Sequence, residues 1–205
     1  MKKSAIGVLV IVLCLGGLGV GYYFINREVA TVEVVTSQAN YKVYENLSEL
    51  EKDSDAIVLV KFTGERENYE VKQGDVLVDT LSKSTIDVKK AYVGDLKEGK
   101  TTVFEQGAIK SGKYHNVEGY KLMDEKGEYI LFLRKNKDMD TYSMVGMHQG
   151  KYDLRITKKP EKYEESLEGA KKAFASSDYE YLGHDQEFDK FYRLKGEVIK
   201  KYKDK

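Results

Sequence analysis

The chain opens on an unbroken apolar run, Ala5 to Ile25, and then changes character. Short apolar stretches alternate with charged and glycine-rich ones as far as Thr157, where the spacing of apolar residues lengthens from two to 3.6. The 21 residues of the first run span about 30 Å as a helix, the thickness of a hydrocarbon core. Lys2 and Lys3 precede the run, and the charges of Arg27 and Glu28 cancel after it. The positive-inside bias therefore holds the amino terminus in the cytoplasm and sends the rest outside. The run reads as a retained single-pass anchor. Two alternatives use the same residues: a signal peptide cleaved after Gly21, and a lipoprotein attached through Cys14, although Leu13 stands where a small residue is normal. Gly17-x-x-x-Gly21 matches the spacing for close pairing of membrane helices.

Beyond the run, Val29–Tyr44 is rich in β-formers and reads as a tether, a first strand or both. Ser48-x-x-Glu51 is a capping box for a short helix with Leu47 and Leu50 facing inward. Ala56–Phe62 is apolar on both parities and reads as a strand buried on both faces. Gly64 to Gly74 reads as a loop, Asp75–Leu81 and Ser84–Val93 as strands, and Gly94–Gly99 as a turn. Thr101–Gln106 is a strand, Gly107–Gly119 a long polar loop, and Glu128–Leu133 a second fully buried strand. Thr141–Met147 and Lys151–Ile156 follow. Tyr163, Leu167, Ala170 and Phe174 then form one helical stripe, with Pro160 near its first turn. Phe188, Phe191, Tyr192, Val198, Ile199 and Tyr202 form another. The expected class is α+β: an N-terminal transmembrane helix, a small antiparallel OB-like β-barrel and two C-terminal amphipathic helices. The expected divisions are 1–27 for the cytoplasmic tip and anchor, 28–46 for the tether or first strand, 47–157 for the barrel, and 158–205 for helices packed on it.

The stretches Ser54–Val60, Ile86–Asp95 closed by Gly99, Gly127–Leu133 and Gln149-Gly150-Lys151 resemble a group of uncharacterised exported or membrane-anchored proteins of Bacilli. In outline, the same strand order is similar to the netrin-like and tissue-inhibitor OB barrels. The resemblance covers Leu47 to Ile156. It implies a five-stranded, partly open barrel and carries no functional residue over to this chain.

Composition narrows the partners. Three of the 34 Lys and Arg residues and none of the 34 Asp and Glu residues precede position 28, leaving 31 against 34 and a formal charge of −3 on the exported part. That balance disfavours nucleic acid. Cys14 is the one cysteine, so the exported part has neither a disulfide nor a thiolate site. Lysine far exceeds arginine and Pro160 is the one proline, a bias in keeping with a low-GC Gram-positive source.

The candidate chemistry is sparse. His115, His148 and His184 are scattered, with no pair at metal-ligand spacing. His148, in Gly146-Met147-His148-Gln149-Gly150, reads as an exposed loop residue near a barrel mouth. Ser82, Ser84 and Ser111 lie in turn contexts rather than in a nucleophile elbow. Asp124-Glu125 and Asp138-Met139-Asp140 read as solvated turns, without the spacing of a calcium loop. Tyr69, Tyr114, Tyr120 and Tyr142 read first as rings that cap the core, with stacking on a sugar or peptide as the alternative. The last helix carries Lys190, Arg193, Lys195, Lys200, Lys201, Lys203 and Lys205 on a polar face that suits packing on the barrel or contact with an anionic membrane.

No catalytic, cofactor-binding or metal-binding residue is assigned. The expectation is a non-enzymatic extracytoplasmic module at the bacterial cell envelope. Its partners are the lipid bilayer, through Ala5–Ile25, and an envelope protein or wall polymer. An envelope-acting hydrolase with acidic residues in a barrel cleft and a structural subunit of a membrane assembly are the alternatives.

Overall fold

The computed structural model describes residues 33–37, 39–157, 159, 180–181 and 185–203. In chain order the elements are β1 (Glu33–Ser37), α1 (Leu47–Lys52), β2 (Ala56–Gln73), β3 (Val76–Val93), β4 (Gly99–Glu105), β5 (Gly107–Lys110), β6 (Lys113–Val117), β7 (Tyr129–Lys135), β8 (Tyr142–Met144), a 3-10 turn (Met147–Gly150), β9 (Lys151–Asp153) and α2 (Asp185–Tyr202).

The two apolar runs without a polar face explain the centre of the fold. Side chains alternate across a strand, so a run that is apolar on both parities needs a cover on each side. At the start of β2, Ile57 joins one core, while Ala56, Val58, Val60 and Phe62 join another. In β7, Ile130 and Phe132 join the first core, and Tyr129, Leu131 and Leu133 the second. Leu47 and Leu50 of α1 and Phe191, Leu194 and Val198 of α2 cover the first core. Ile86, Val88 and Val103 of β3 and β4, with Tyr120 and Met123, fill the second.

Strands pair in the order β2-β3-β4-β8-β7-β9, and β2 also pairs with β7 over Ala56–Val60, so the sheet turns back on itself there. The β4–β8 contact is parallel and short. A separate three-stranded sheet has the order β1-β6-β5. Its β5–β6 hairpin closes through Ser111-Gly112, both left-handed at φ 51° and 70°, the pair of positive angles that a two-residue type I′ turn needs.

β2 and β3 are 18 residues each and pair from Ile57↔Val93 to Gln73↔Val76. β7 borders only the base of β2, and β4 borders β3 only from Ser82 to Val88. Beyond that limit Arg66–Gln73 and Val76–Leu81 continue as a two-stranded ribbon. A wide bulge marks its root: Phe62 faces Ile86 and Arg66 faces Ser84, so Thr63, Gly64 and Glu65 stand opposite Thr85 alone. Gly64 adopts φ 87°, where a side chain is strained, and a Cβ there would lie 2.5 Å from the Glu125 carboxylate.

The expected α+β class is overturned. Strands hold 48% of the described residues, which makes this a mostly β chain. In place of a small OB-like barrel, the strands form a six-stranded sheet that turns back at its base and runs out into the long ribbon. Of the polar stretch Gly64–Gly74, all but the turn residue Gly74 belongs to β2 rather than to a loop, because paired backbone tolerates polar side chains where both faces meet water. Gly107–Gly119 likewise contains the β5–β6 hairpin instead of a long loop. One C-terminal helix, α2, is described; the stripe Tyr163–Phe174 and the run Ala5–Ile25 lie outside the described residues. Among the described residues, no helix is long and apolar enough to cross a membrane. The helix cap also shifts: Asn46 accepts from the Glu49 N–H at 3.0 Å, so the box is Asn46 with Glu49 rather than Ser48 with Glu51.

Candidate binding groove

At the root of the ribbon lies a buried polar network. The bulge turns Arg66 inward, over the Phe62 ring. Its guanidinium donates to Ser84 Oγ (3.0 Å), to Glu105 Oε2 (2.7 Å) and to the Met123 carbonyl (2.8 Å). Glu105 is fully buried and accepts further bonds from Ser84 Oγ (2.6 Å), Tyr120 Oη (3.2 Å) and the Met123 N–H (2.8 Å). A carboxylate taken from water at this depth is costly unless its oxygens are occupied, and here they are. Its neighbour Ser82 is also fully buried, yet its Oγ has no hydrogen-bond partner among the described residues.

Glu105 is the last residue of β4, and β5 starts two positions later. The ribbon and the three-stranded sheet therefore leave the core side by side from this one point. Asn68 Nδ2 donates to the Ile109 carbonyl (2.9 Å), and Lys110 reaches Glu70 (3.3 Å) across the gap. Further out the two layers enclose a groove of about 460 Å³. Leu77, Val78, Asp79 and Thr80 form the ribbon side; Val35 of β1 and Lys110 and His115 of the hairpin are on the other. The bulge between Val71 and Lys72 leaves Val78 as the extra residue opposite β2, so that two adjacent aliphatic side chains, Leu77 and Val78, both line the groove. Val76, Leu77 and Val78 are 65%, 43% and 53% exposed. The Thr80 N–H donates to Asp79 Oδ1 (2.7 Å).

A second charged cluster joins β9 to α2. Lys151, Asp153, Glu180 and Lys195 are all buried. Lys195 Nζ donates to Glu180 and to the Asp153 carbonyl (2.9 Å), and the Asp153 N–H donates to Glu180. Lys151 Nζ lies 3.9 Å from Glu180 and sits over the Tyr120 and Tyr129 rings. Asp153 pairs with Arg155 (2.7 Å), which also holds Asp124 (2.9 Å). Burial, and then the nearby Lys151 charge, push Lys121 down to about 8. Burial tends to raise Asp124, but Arg155 outweighs it and holds the carboxyl below its ordinary range.

His148 belongs to this second region. Expected at an exposed mouth, it is 4% exposed and lies edge-on to Tyr41, Tyr181 and Phe191. Its Nδ1 has no hydrogen-bond partner among the described residues, and burial followed by the Lys151 charge depress its pKa to about 3. His115 lines the groove, and His184 lies outside the described residues. Of the four tyrosines read as core caps or ligand-stacking rings, Tyr114 and Tyr120 are fully buried, Tyr142 is half-buried, and Tyr69 leans on Phe104. Ser84 belongs to the ribbon root, Ser111 to the β5–β6 turn. Asp124 is engaged by Arg155; Asp138 and Asp140 are exposed.

Four basic residues of the last helix are used internally, while Lys200 and Lys203 are exposed. Lys190 pairs with Glu45 (2.7 Å), Arg193 donates to the Glu45 carbonyl (2.7 Å), Lys201 pairs with Glu51 (2.7 Å), and Lys195 is buried. Arg66, Glu105 and the Lys195–Glu180 pair have no signature in the sequence, since their partners lie 39 and 15 positions apart with no shared motif. Neither a protein-family model nor a curated protein matches this chain.

Proposed function

We propose that this protein is a non-enzymatic binding module of the bacterial cell envelope, and that its contact surface is the ribbon tip with the groove beside it. One observation carries the reading: three consecutive aliphatic residues, Val76, Leu77 and Val78, stand exposed on a hairpin whose ladder runs out to Gln73↔Val76 at the tip. They add little to the fold, and an apolar patch kept in water is the usual mark of an interaction site. The apolar run Ala5–Ile25 supplies the attachment to lipid, and Lys2 and Lys3 supply the orientation that places the module outside the cytoplasm.

The test is binding of the purified full chain to isolated envelope fractions. Saturable binding that is lost in Val76→Ser/Leu77→Ser/Val78→Ser supports the reading. Binding that is non-saturable, or equal in the serine variant, removes it.

A further inference from the structure

The groove has two walls, and one ion pair, with Glu105 fully buried and Arg66 partly so, joins their roots. The ribbon wall begins at Arg66, where the bulge ends. The other wall begins at Gly107, two residues after Glu105. We infer that the Arg66–Glu105 pair sets the position of one wall against the other, and so determines what the groove accepts without touching it. This rests on the reading of the groove as a binding surface.

Three features favour this over a merely stabilising role. The ladder between β3 and β4 stops at Ser82↔Glu105, so from this level outward no strand pairing joins the ribbon to the small sheet among the described residues. The cross-links further out, Asn68 to the Ile109 carbonyl and Lys110 to Glu70, are exposed, and an exposed pair holds geometry weakly. The guanidinium is planar and makes its three contacts to β3, to β4 and to the Met123 loop at once, which fixes direction as well as distance. Arg66 and Glu105 are therefore positioning residues. A lysine at 66 has one donor head in place of the fork and cannot span the three acceptors.

The test measures the groove directly. In the full chain carrying Cys14→Ser, spin labels at Ser37→Cys and Val78→Cys report the distance between the walls. The native pair is expected to show a single narrow distance. Glu105→Gln and Arg66→Met are each expected to lose it, and both also leave a buried charge or dipole unpaired, so both lose stability. The double variant Arg66→Met/Glu105→Gln separates the two effects. Its urea midpoint is expected to return toward the native value, because removing both members of a buried pair leaves no orphan charge, while the wall distance stays broad. Phe132→Ala, which weakens the fold away from both walls, is expected to keep the narrow distance. A narrow distance in the double variant, or equal broadening in Phe132→Ala, would overturn the inference. Loss of envelope binding in the serine variants with wall distances unmoved by the pair sinks this inference alone. A moved distance with normal binding by the serine variants sinks the binding reading alone.

Discussion

The two ends of the β2–β3 hairpin share one backbone ladder and little else. At the base, Ile57, Val58, Val60, Ile86 and Val88 are buried and walled in on both faces. At the tip, Val76, Leu77 and Val78 are as apolar and stand in water. The base shows what apolar strand residues do for stability. The tip shows the same residue types where they do almost nothing for it, which is the ground for proposing a contact surface there.

Substitutions at the two ends should differ by kilocalories. Phe132→Ala, in the strand that caps the base, should cost about 3–5 kcal/mol in urea denaturation, the usual loss for a large buried ring. Lys195→Met should cost about 3 kcal/mol, because Glu180 and its partner backbone are left in a dry site with one ammonium fewer. Adding Glu180→Gln should recover part of that loss. A neutral Lys195→Met would show that the buried cluster does not hold α2 to β9.

His148 gives a pH test of the first core. Its folded pKa of about 3 lies below the ordinary 6.5, so between those values the unfolded chain binds the proton and the folded chain does not. Stability contributed by the neutral ring is present above pH 6.5 and is lost as pH falls toward 3, with a slope of about 1.4 kcal/mol per pH unit. His148→Phe should flatten that acid limb, read from denaturation midpoints between pH 7 and pH 4. An unchanged slope would place the acid sensitivity elsewhere. At the small end of the scale, Val76→Ser, Leu77→Ser and Val78→Ser should each move stability by no more than about 0.5 kcal/mol.

The same contrast explains what was legible in the chain. The base was legible, since runs such as Ala56–Phe62 and Tyr129–Leu133 offer no polar face and must be enclosed. Leu47 and Leu50 face inward as their spacing implies. The ribbon was half legible: Asp75–Leu81 reads as a strand and is one, whereas the β2 side, Gly64–Gln73, does not, because periodicity reports burial and a strand wet on both faces has none to report. Ser111-Gly112 was the one local sign that Gly107–Gly119 folds back on itself. The root of the groove was hidden for a different reason: Arg66 and Glu105 come from separate strands, and only the three-residue bulge at Thr63–Glu65 turns one toward the other. The burial of His148 was equally unreadable, since the rings that enclose it come from α2 and from Tyr41 and Tyr181.

The most direct test of the central claim uses photo-crosslinking in native envelopes, with the reactive group at Thr80 in the groove or at Lys61 on the exposed side of the base. A saturable adduct is expected from position 80, little from position 61, and loss of the first in the triple serine variant at an unchanged urea midpoint. Equal labelling from both positions, or a triple serine variant as unstable as Phe132→Ala, would contradict it.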